Sequence, residues 1–319
     1  MKYHVITIGR ASQDIFLTSK AFRPSFIDGE PFTILAQGEE TEISEIITET
    51  GGSATNAGVT FARQGLKTAC VTKIGLDSAG REILHILKKE KISQNLIVRD
   101  THYHTAVSTY LLSSSGETTR MVYFGNSKKY LKKDFNLHKF KAHWFYITSV
   151  GGDLKILSAI FNWADKKRIK VAINPSVSEL AKPRRLLKLL KQADIVILNN
   201  EELGILSKYE KPINALRAVR DAGLKTVVMT DGENGSWVLG GDTIYHSKIY
   251  KKVARIDETG IGDAYGSAFV ASIIKNKSIK EAMTLASANA TSVIHYIGAK
   301  AGILRNPVLK QIKISQRSI

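Results

Sequence analysis

A glycine-rich turn followed by an early acidic residue is the strongest chemical feature of this chain. In the segment DETGIGDAYGSAF, Gly260, Ile261 and Gly262 lead directly into a helical pattern that contains Asp263. Backbone N–H groups of such a turn point outward at a helix N-terminus, where the helix dipole also favours anions. A carboxylate there suits a proton acceptor beside a transferring phosphoryl group, whose developing charge the turn amides stabilise. An ordinary helix start with an early acid explains the same residues equally well.

A second group of residues suits the hydroxyl groups of a sugar. In ETGGSATNAGVTFARQG, Gly52 allows a ligand to approach the backbone closely, and Asn56 offers both a donor and an acceptor. Asp14 follows the first apolar run, and its carboxylate can accept two hydrogen bonds from a polyol. The structural alternatives are a capped turn for Gly52 and Asn56 and a surface turn for Asp14.

Two further turns suit a metal ion and a nucleotide. Asn199 and Glu202, in LNNEEL, follow an apolar run, and one carboxylate with an amide suits a hydrated Mg²⁺. A helix cap followed by a helix-start glutamate has equal weight. Thr230, Gly232 and Gly235, in MTDGENGSW, form a turn that could border a nucleotide, although a plain connection between two strands is favoured.

Other site chemistries find little support in the sequence. His102 and His104 would share one face of a strand, but no third metal ligand is evident, so we predict a lid strand that carries two histidines. Cys70 is the only cysteine, which excludes an internal disulfide, and its apolar surroundings predict burial. The sequence contains neither a Walker A motif nor a Gly-x-Gly-x-x-Gly motif after the first strand, which disfavours P-loop and dehydrogenase folds.

The composition is that of a globular protein with a strong positive charge. Of 319 residues, 43% are hydrophobic and 24% charged, which allows a sizeable core. The net charge of +17 suggests nucleic-acid binding, but the basic clusters are scattered and do not interleave with aromatic residues. We therefore predict no nucleic-acid partner and a positive field that attracts an anionic nucleotide. Without a signal-peptide pattern or an apolar run of about 20 residues, we expect a cytoplasmic protein with no membrane contact.

The elements that must position these residues alternate along the chain. Short apolar runs alternate with helical patterns, which predicts a parallel sheet covered by helices on both faces. The predicted strands lie in YHVITIG, TACVTKIG, HWFYITS, VAINP, ADIVILNN and KTVVMTDG. A hairpin around Gly240, Gly241 and Asp242 follows, and the last 60 or so residues are predicted to be mainly helical. Open sheets of this kind bind ligands at the carboxyl ends of their strands, where the candidate turns fall.

Two segments interrupt this alternation and predict a small separate sheet. Residues 15–50 and 101–125 alternate polar and apolar residues, with a turn at Ser115, Gly116 and Glu117. Since both leave from strand ends, we expect them to form a β lid over the carboxyl edge of the large sheet. The predicted main α/β domain then comprises residues 1–14, 51–100 and 126–319.

Taken together and in this order, the segments resemble the ribokinase-like, or PfkB, family of carbohydrate and nucleoside kinases. GGSATNAGVTFARQGLKTACVTKIGLDSAG is similar to the family's N-terminal motif. DETGIGDAYGSAF is similar to its C-terminal motif, whose usual form is D-T-T-G-A-G-D. The resemblance runs over nearly the whole chain. It implies a three-layer α/β/α domain of the ribokinase type, with a mainly parallel sheet and a small β-sheet lid.

The resemblance implies roles for the residues of the acceptor side. Asp263 would be the base that accepts the proton of the substrate hydroxyl. The anion hole would be formed by Gly260, Ile261 and Gly262. The positions that match substrate-hydroxyl contacts are Asp14, Gly52 and Asn56.

It also implies roles on the nucleotide side. Asn199 and Glu202 match an N-x-x-E motif tied to Mg²⁺ and phosphate, with Glu202 acting on the metal indirectly. Thr230, Gly232 and Gly235 match a T-x-G-x-x-G nucleotide turn, and Asn289 matches a helix that lines the adenine pocket. Asp257 and Thr259 match positions that hold a monovalent cation in several members, which allows activation by K⁺.

Three positions depart from the family pattern. Ser53 stands where ribokinases proper usually have Lys, which argues against ribose as the substrate. Glu258 and Ile261 replace the more usual Thr and Ala, and we expect both changes to be tolerated because the backbone of the turn binds phosphate.

The predicted function is transfer of the γ-phosphoryl group of Mg-ATP to a hydroxyl, expected to be a primary hydroxymethyl, of a small sugar. A nucleoside kinase or a sugar-phosphate kinase of the same family is the first alternative. The second, of a different class, is a non-catalytic protein that senses a sugar or nucleotide. The predicted lid also allows a homodimer.

Overall fold

The structure is a computed structural model that describes residues 2–113, 118–250 and 256–319. In chain order the strands are β1 (Tyr3–Ile8), β2 (Ser12–Thr18), β3 (Pro24–Ile27), β4 (Glu30–Thr33), β5 (Glu45–Gly51), β6 (Thr68–Val71), β7 (Lys73–Gly75), β8 (Val98–Asp100), β9 (Ala106–Leu112), β10 (Thr118–Tyr123), β11 (Ala142–Ile147), β12 (Lys170–Ile173), β13 (Ile195–Asn199), β14 (Thr226–Thr230), β15 (Ser236–Gly240), β16 (Thr243–Ser247) and β17 (Ile314–Ser318). The helices are α1 (Ser53–Arg63), α2 (Ser78–Lys89), α3 (Leu154–Lys166), α4 (Val177–Leu180), α5 (Pro183–Leu190), α6 (Asn200–Ser207), α7 (Pro212–Asp221), α8 (Ile261–Ile274) and α9 (Ile279–Val293).

A large, mostly parallel sheet forms the centre of the molecule. Nine of the described strands compose it, in the order β17-β16-β15-β14-β13-β12-β11-β1-β6. The strands from β6 to β14 in this order pair in parallel, as predicted, and β14 to β17 pair antiparallel. The hairpin predicted around Gly240, Gly241 and Asp242 joins β15 to β16 and is confirmed. The prediction for the last 60 residues was wrong beyond Val293, because the chain there becomes irregular and ends in β17, which pairs with β16.

Helices cover both faces of this sheet. Alternate residues of a strand point to opposite faces, so Ile6 and Ile8 pack toward α3, α5, α6 and α7. Val5 points to the opposite face, where it belongs to a hydrophobic cluster with Phe61 of α1 and Phe269 of α8. The three-layer α/β/α arrangement predicted for the chain is confirmed.

A small sheet lies beside the large one. Four of the described strands form it in the order β10-β9-β2-β5, and β2 runs parallel to β9 and antiparallel to β5. These strands come mainly from the two segments predicted to form a lid, and β3 and β4 form a separate hairpin. The turn predicted at Ser115, Gly116 and Glu117 lies outside the described residues. The division into a main domain and a lid stays a prediction.

His102 and His104 lie in the loop between β8 and β9, so the prediction that they belong to a strand was wrong. Their side chains are largely exposed and lie near carboxylates: His104 Nδ1 is 3.3 Å from Asp77 Oδ2. The described part of the chain holds no group of three or more His, Cys, Asp or Glu placed to bind a metal ion. Cys70 is buried on β6, as predicted.

None of the helices in the described ranges has both the length and the apolar character needed to span a membrane.

Candidate active site

A cavity of about 490 Å³, here called the first cavity, lies between the small sheet and the carboxyl edge of the large sheet. Residues at or just beyond the ends of three parallel strands line it, namely Thr148, Asn174 and Asn199. The small sheet contributes Ser12, Asp14, Tyr110 and Arg120. The carboxyl edge of the large sheet therefore carries a concave site, as the order of the elements predicts.

The glycine-rich turn forms one wall of this cavity. Gly260 caps α8 with a φ of 78°, and a Cβ atom there would lie only 2.3 Å from the Cβ atom of Ala299, so the position requires glycine. Gly260, Gly262 and Asp263 line the first cavity. Because the first turn of a helix leaves amides without intrahelical partners, this wall offers N–H donors next to a carboxylate.

A chain of hydrogen bonds positions the Asp263 carboxylate. Asn56 Nδ2, on α1, donates to Asp263 Oδ2 over 2.8 Å. Lys300 Nζ donates to Asn56 Oδ1 over 2.6 Å and also to the backbone oxygen of Thr50. Since the ammonium group has only donors, it fixes which end of the Asn56 amide faces Asp263.

The sequence reasoning missed Lys300. Its side chain is buried, and it lies 244 residues from Asn56 in the irregular segment after α9. A lone lysine outside any motif carries no local signal, because only the folded chain brings it to α1.

Burial sets the electrostatics of these groups. It raises the pKa of Asp263, while hydrogen bonds from Asn56 and Ser53 and the charge of Lys300 oppose the rise. Burial lowers the pKa of Lys300 to about 8, against the attraction of Asp14 and other nearby carboxylates. A carboxylate with a raised pKa is a stronger proton acceptor wherever it remains ionised.

Asp14, Gly52 and Asn56, the predicted sugar contacts, come together in the first cavity. Asp14 lies on β2 with its side chain buried, and its Oδ1 atom accepts a hydrogen bond from Ser12 Oγ over 2.9 Å. Burial raises the pKa of Asp14, against the charge of Lys300. Gly52 has a φ of 91°, and a Cβ there would lie 2.5 Å from the Cα atom of Ala11. The turn before α1 therefore brings backbone atoms up to the cavity.

A second cavity, of about 370 Å³, adjoins the first. The two cavities share Asn199, Thr230 and Gly262. Gly232 and Gly235, from the predicted nucleotide turn, line the second cavity together with Ile261. The turn amides of α8 therefore lie where the two cavities meet.

Asn199 and Glu202 form a capping box at the start of α6. Asn199 Oδ1 accepts from the Glu202 amide over 2.8 Å, and Glu202 Oε2 accepts from the Asn199 amide over 2.8 Å. The helix-cap alternative is thus present, yet both residues also border the first cavity. Burial raises the pKa of Glu202. One carboxylate and one amide oxygen at this edge fit a Mg²⁺ ion that keeps most of its waters.

Asn289 borders neither cavity. Its side chain is fully buried, where Nδ2 donates to the Ala264 oxygen and Oδ1 accepts from the Leu304 amide, each over 2.9 Å. It therefore ties α9 to α8. Helix α9 does line the second cavity, but through Ser287, Ala290 and Thr291.

Asp257 also lies away from the cavities, whereas Thr259 borders the first. The Asp257 carboxylate accepts from the Thr259 amide over 2.9 Å, from the Thr259 hydroxyl over 2.7 Å and from the Gly298 amide over 2.8 Å. These contacts join the loop before α8 to the segment that carries Lys300. A monovalent cation at this site stays a prediction.

Comparison with known proteins defines the class of protein. Residues 5–306 match the pfkB family of carbohydrate kinases, and the chain belongs to that family. It is accordingly an ATP-dependent carbohydrate kinase, and the family uses ATP as co-substrate, in general with Mg²⁺.

Individual relatives agree with this assignment. The chain is 25% identical over 324 residues to a ribokinase of Staphylococcus aureus (strain COL), covering 98% of this chain and 99% of that protein. It is 28% identical over 270 residues to a probable fructokinase-5 of Arabidopsis thaliana, covering 75% and 80%. The fold matches that of Arabidopsis thaliana ribokinase complexed with ribose and ATP, with a TM-score of 0.77, 19% identity and coverage of 96% and 97%.

Proposed function

We propose that the protein transfers the γ-phosphoryl group of Mg-ATP to a hydroxyl, in a primary hydroxymethyl group, of a small sugar. The observation that carries the proposal is the contact of Asn56 with Asp263 at the N-terminus of α8, inside a cavity that adjoins a second one. A base, an amide-lined turn and room for two substrates are what phosphoryl transfer requires.

Asp263 acts as the base in this proposal. The bond between the sugar oxygen and the γ-phosphorus forms while the bond from that phosphorus to the β-phosphate oxygen breaks, and ADP leaves. The hydroxyl proton passes to Asp263, and the amides of Gly260, Ile261 and Gly262 stabilise the charge on the phosphoryl oxygens. Since the transition state is loose, most of the rate enhancement comes from positioning and charge stabilisation.

Asp14, Gly52 and Asn56 orient the sugar. Asp14 and Asn56 line the first cavity with Asp263, so hydroxyl groups bound to them hold the reacting hydroxyl near the base. Asn56 has a second task, because its Nδ2 group also orients the Asp263 carboxylate. The small sheet lines this cavity and would exclude water from it, which would limit wasteful hydrolysis of ATP.

The second cavity holds the nucleotide in this proposal. Asn199, Thr230, Gly232 and Gly235 border it, and Asn289 supports it indirectly by joining α9 to α8. Glu202 and Asn199 would hold Mg²⁺ through water, and the bound ion supplies charge neutralisation at the ATP phosphates.

Asp257 and Thr259 are the proposed monovalent-cation residues. The Asp257 contacts tie their loop to the segment of Lys300, so a cation bound there would stabilise the α8 turn. Equal activity in KCl and in a tetramethylammonium salt of the same ionic strength would contradict a K⁺ requirement.

A homodimer through the small-sheet region is also proposed. Two large apolar side chains there are exposed, Phe26 at 69% on β3 and Ile46 at 63% on β5. Burial of such residues between two copies would stabilise a dimer. Sedimentation of the wild type and of Ile46→Glu tests this, and a monomeric wild type at micromolar concentration would contradict it.

Replacement of the base tests the central proposal. Asp263→Asn should lower kcat by roughly 10²- to 10⁴-fold, the usual range for a positioned general base. The KM for ATP should change little, because the turn amides remain. Asp165→Asn, on the exposed side of α3, is the matched control. Near-normal turnover of Asp263→Asn would remove Asp263 as the base.

An acceptor screen tests the reaction itself. ADP release is measured with pentoses, hexoses, their phosphates and nucleosides. Stimulation by at least one acceptor is expected. If every acceptor fails while sugars or ATP still bind, the result would favour the sensing alternative.

A further inference from the structure

Two arginines line the first cavity without a role in the reaction described above. Arg10 lies in the turn after β1, with its guanidinium carbon 4.6 Å from the centroid of the Phe124 ring. Arg120 lies on β10, with its guanidinium carbon 5.4 Å from the centroid of the Tyr110 ring. A guanidinium stacked on an aromatic ring keeps its N–H donors in its own plane, directed outward toward acceptors.

Neither guanidinium has a carboxylate partner within 4.0 Å in residues 2–113, 118–250 and 256–319. Arg120 donates only to a neutral group there, from Nη2 to Ser108 Oγ over 3.2 Å. The carboxylates that line the cavity are held by other donors: Asp14 by Ser12, Asp263 by Asn56 and Glu202 by the Asn199 amide.

The two arginines also repel each other. Burial is the main cause that lowers the pKa of Arg10, and the charge of Arg120 lowers it further, while Tyr130 and Glu179 act in the opposite direction. Like charges that share a partly closed cavity raise the free energy of the unliganded protein, and a bound anion relieves this cost. Arginine also binds the planar edge of a phosphate or carboxylate through two parallel hydrogen bonds.

We propose that the acceptor sugar carries an anionic group, a phosphate or a carboxylate, which Arg10 and Arg120 bind while its reacting hydroxyl faces Asp263. The inference rests on the proposed function and names the class of its acceptor. A neutral sugar or a nucleoside leaves both guanidiniums without an ion-pair partner within 4.0 Å in the described residues, and only the more distant charges of Glu179 and Asp14 act on them.

The position of the arginines favours the acceptor over ATP as their ligand. Arg10 and Arg120 line the first cavity, which also contains Asp14 and Asp263, and neither lines the second. Arg120 lies on β10 of the small sheet, whereas the predicted nucleotide turn joins β14 to β15 of the large sheet. The variants below separate these two ligands.

A screen with matched acceptors tests the charge requirement. Each neutral hexose or pentose is compared with its monophosphates and with the corresponding sugar acid, at fixed Mg-ATP. The best anionic acceptor should exceed its neutral parent by about 100-fold or more in kcat/KM, as expected when two charge-assisted contacts are lost. The phosphate and acid arms identify which anion is bound. A neutral sugar or nucleoside with an equal or higher kcat/KM would overturn the inference and leave the kinase proposal intact.

Arginine variants test the two residues. Arg10→Gln and Arg120→Gln should each raise the KM for the anionic acceptor about 10- to 100-fold, with the KM for ATP within about twofold. Arg120→Lys should fall between Arg120→Gln and wild type, because lysine keeps the charge but not the paired donors. Arg23→Gln, an exposed arginine that lines neither cavity, is the control. A rise in the KM for ATP instead would assign the guanidiniums to the donor phosphates and refute the inference.

A binding measurement keeps the inference testable without turnover. Thermal unfolding is followed with the same panel of sugars, for the wild type and the Arg10→Gln/Arg120→Gln double variant. Anionic members should raise the Tm of the wild type and not that of the folded double variant. Equal shifts with neutral and anionic sugars, or equal shifts in both proteins, would overturn it. If no acceptor is phosphorylated but the anion-selective shift persists, the kinase proposal fails and the anion site stands.

Discussion

Two kinds of cation lie at the first cavity, and they differ in whether the fold provides their partners: Arg10 and Arg120 line it, whereas Lys300 lies behind the wall that Asn56 forms. Lys300 is buried, and its ammonium group donates to Asn56 Oδ1 and to the Thr50 oxygen. The guanidiniums of Arg10 and Arg120 are more exposed, and no described carboxylate lies within ion-pair distance of them. A cation with protein partners can fix the geometry of its neighbours. A cation without them has its charge available for a ligand.

The comparison makes Lys300 a positioning residue. Removing a buried donor leaves buried acceptors unpaired, whereas removing a donor at an open cavity affects mainly the ligand. Variants of Lys300 should therefore change stability and pH dependence. Variants of Arg10 and Arg120 should change the KM for the acceptor.

Lys300→Met should produce the largest effects. It should lower the free energy of unfolding by about 1–3 kcal/mol, because Asn56 Oδ1 and the Thr50 oxygen lose their donor. It should also lower kcat/KM, since the Asn56 amide is then free to turn away from Asp263. Denaturant unfolding and steady-state kinetics measure both. Lys277 forms an exposed ion pair with Glu281, so Lys277→Met should change neither the stability nor kcat/KM. Equal effects of the two variants would show that Lys300 does not position the base.

The pH profile should separate charge from packing at Lys300. The charge of Lys300 lowers the pKa of Asp263, so its removal should move the acid limb of kcat/KM to higher pH. The wild type should also lose activity above pH of about 8 as Lys300 deprotonates, and this alkaline limb should disappear in Lys300→Met. An unchanged profile in the variant would show that the ammonium group does not act on the base.

Stability should follow the same titration. The pKa of Lys300 is lowered from 10.5 to about 8 on folding, so the unfolded chain binds more protons between these values. The stability of the wild type relative to Lys300→Met should therefore rise as the pH increases from about 8 to 10. This gain should be lost again as the pH falls through about 8. Unfolding in denaturant at several pH values provides the measurement.

Asn56→Ala should have an intermediate effect. It removes the donor to Asp263 Oδ2 and an acceptor of Lys300, so the pKa of Asp263 should rise further. We expect kcat to fall by about 10-fold, the cost of one hydrogen bond to a charged group, and the acid limb to move upward. Thr284→Ala, in α9 outside both cavities, is a control for loss of one buried polar side chain. If Asn56→Ala raised only the KM for the sugar and left kcat unchanged, Asn56 would act in sugar binding alone.

Glu202→Gln should have the smallest effect and concerns the nucleotide side. Glutamine retains an oxygen that can accept from the Asn199 amide, so the capping box and the stability should persist. Loss of the charge should raise the Mg²⁺ concentration needed for half-maximal activity by about two- to tenfold. A Mg²⁺ titration at fixed ATP measures this, and an unchanged requirement would leave Glu202 as a helix cap only.

Much of the fold follows from local sequence patterns. Apolar runs such as YHVITIG and ADIVILNN become β1 and β13. A strand of a parallel sheet is buried on both faces, so a continuous apolar run is enough to predict it. The glycine turn before α8 and the turn before α1 are equally local, since Gly260 and Gly52 both adopt a positive φ. These motifs, with the chain order of strands and helices, predict the class of fold and a site at the carboxyl edge.

The tertiary structure decided which side chains complete that site. Asn56 contacts both Asp263 and Lys300, and each of these partners lies more than 200 residues away from it along the chain. No sequence periodicity links the three residues. Asn289 matches a family position, and only the folded chain shows that its side chain joins α9 to α8 without bordering either cavity. The sequence by itself thus determined the class of reaction through the order of its motifs, not through any one turn. Burial, charge pairing and the placement of the two arginines in the cavity depend on long-range packing.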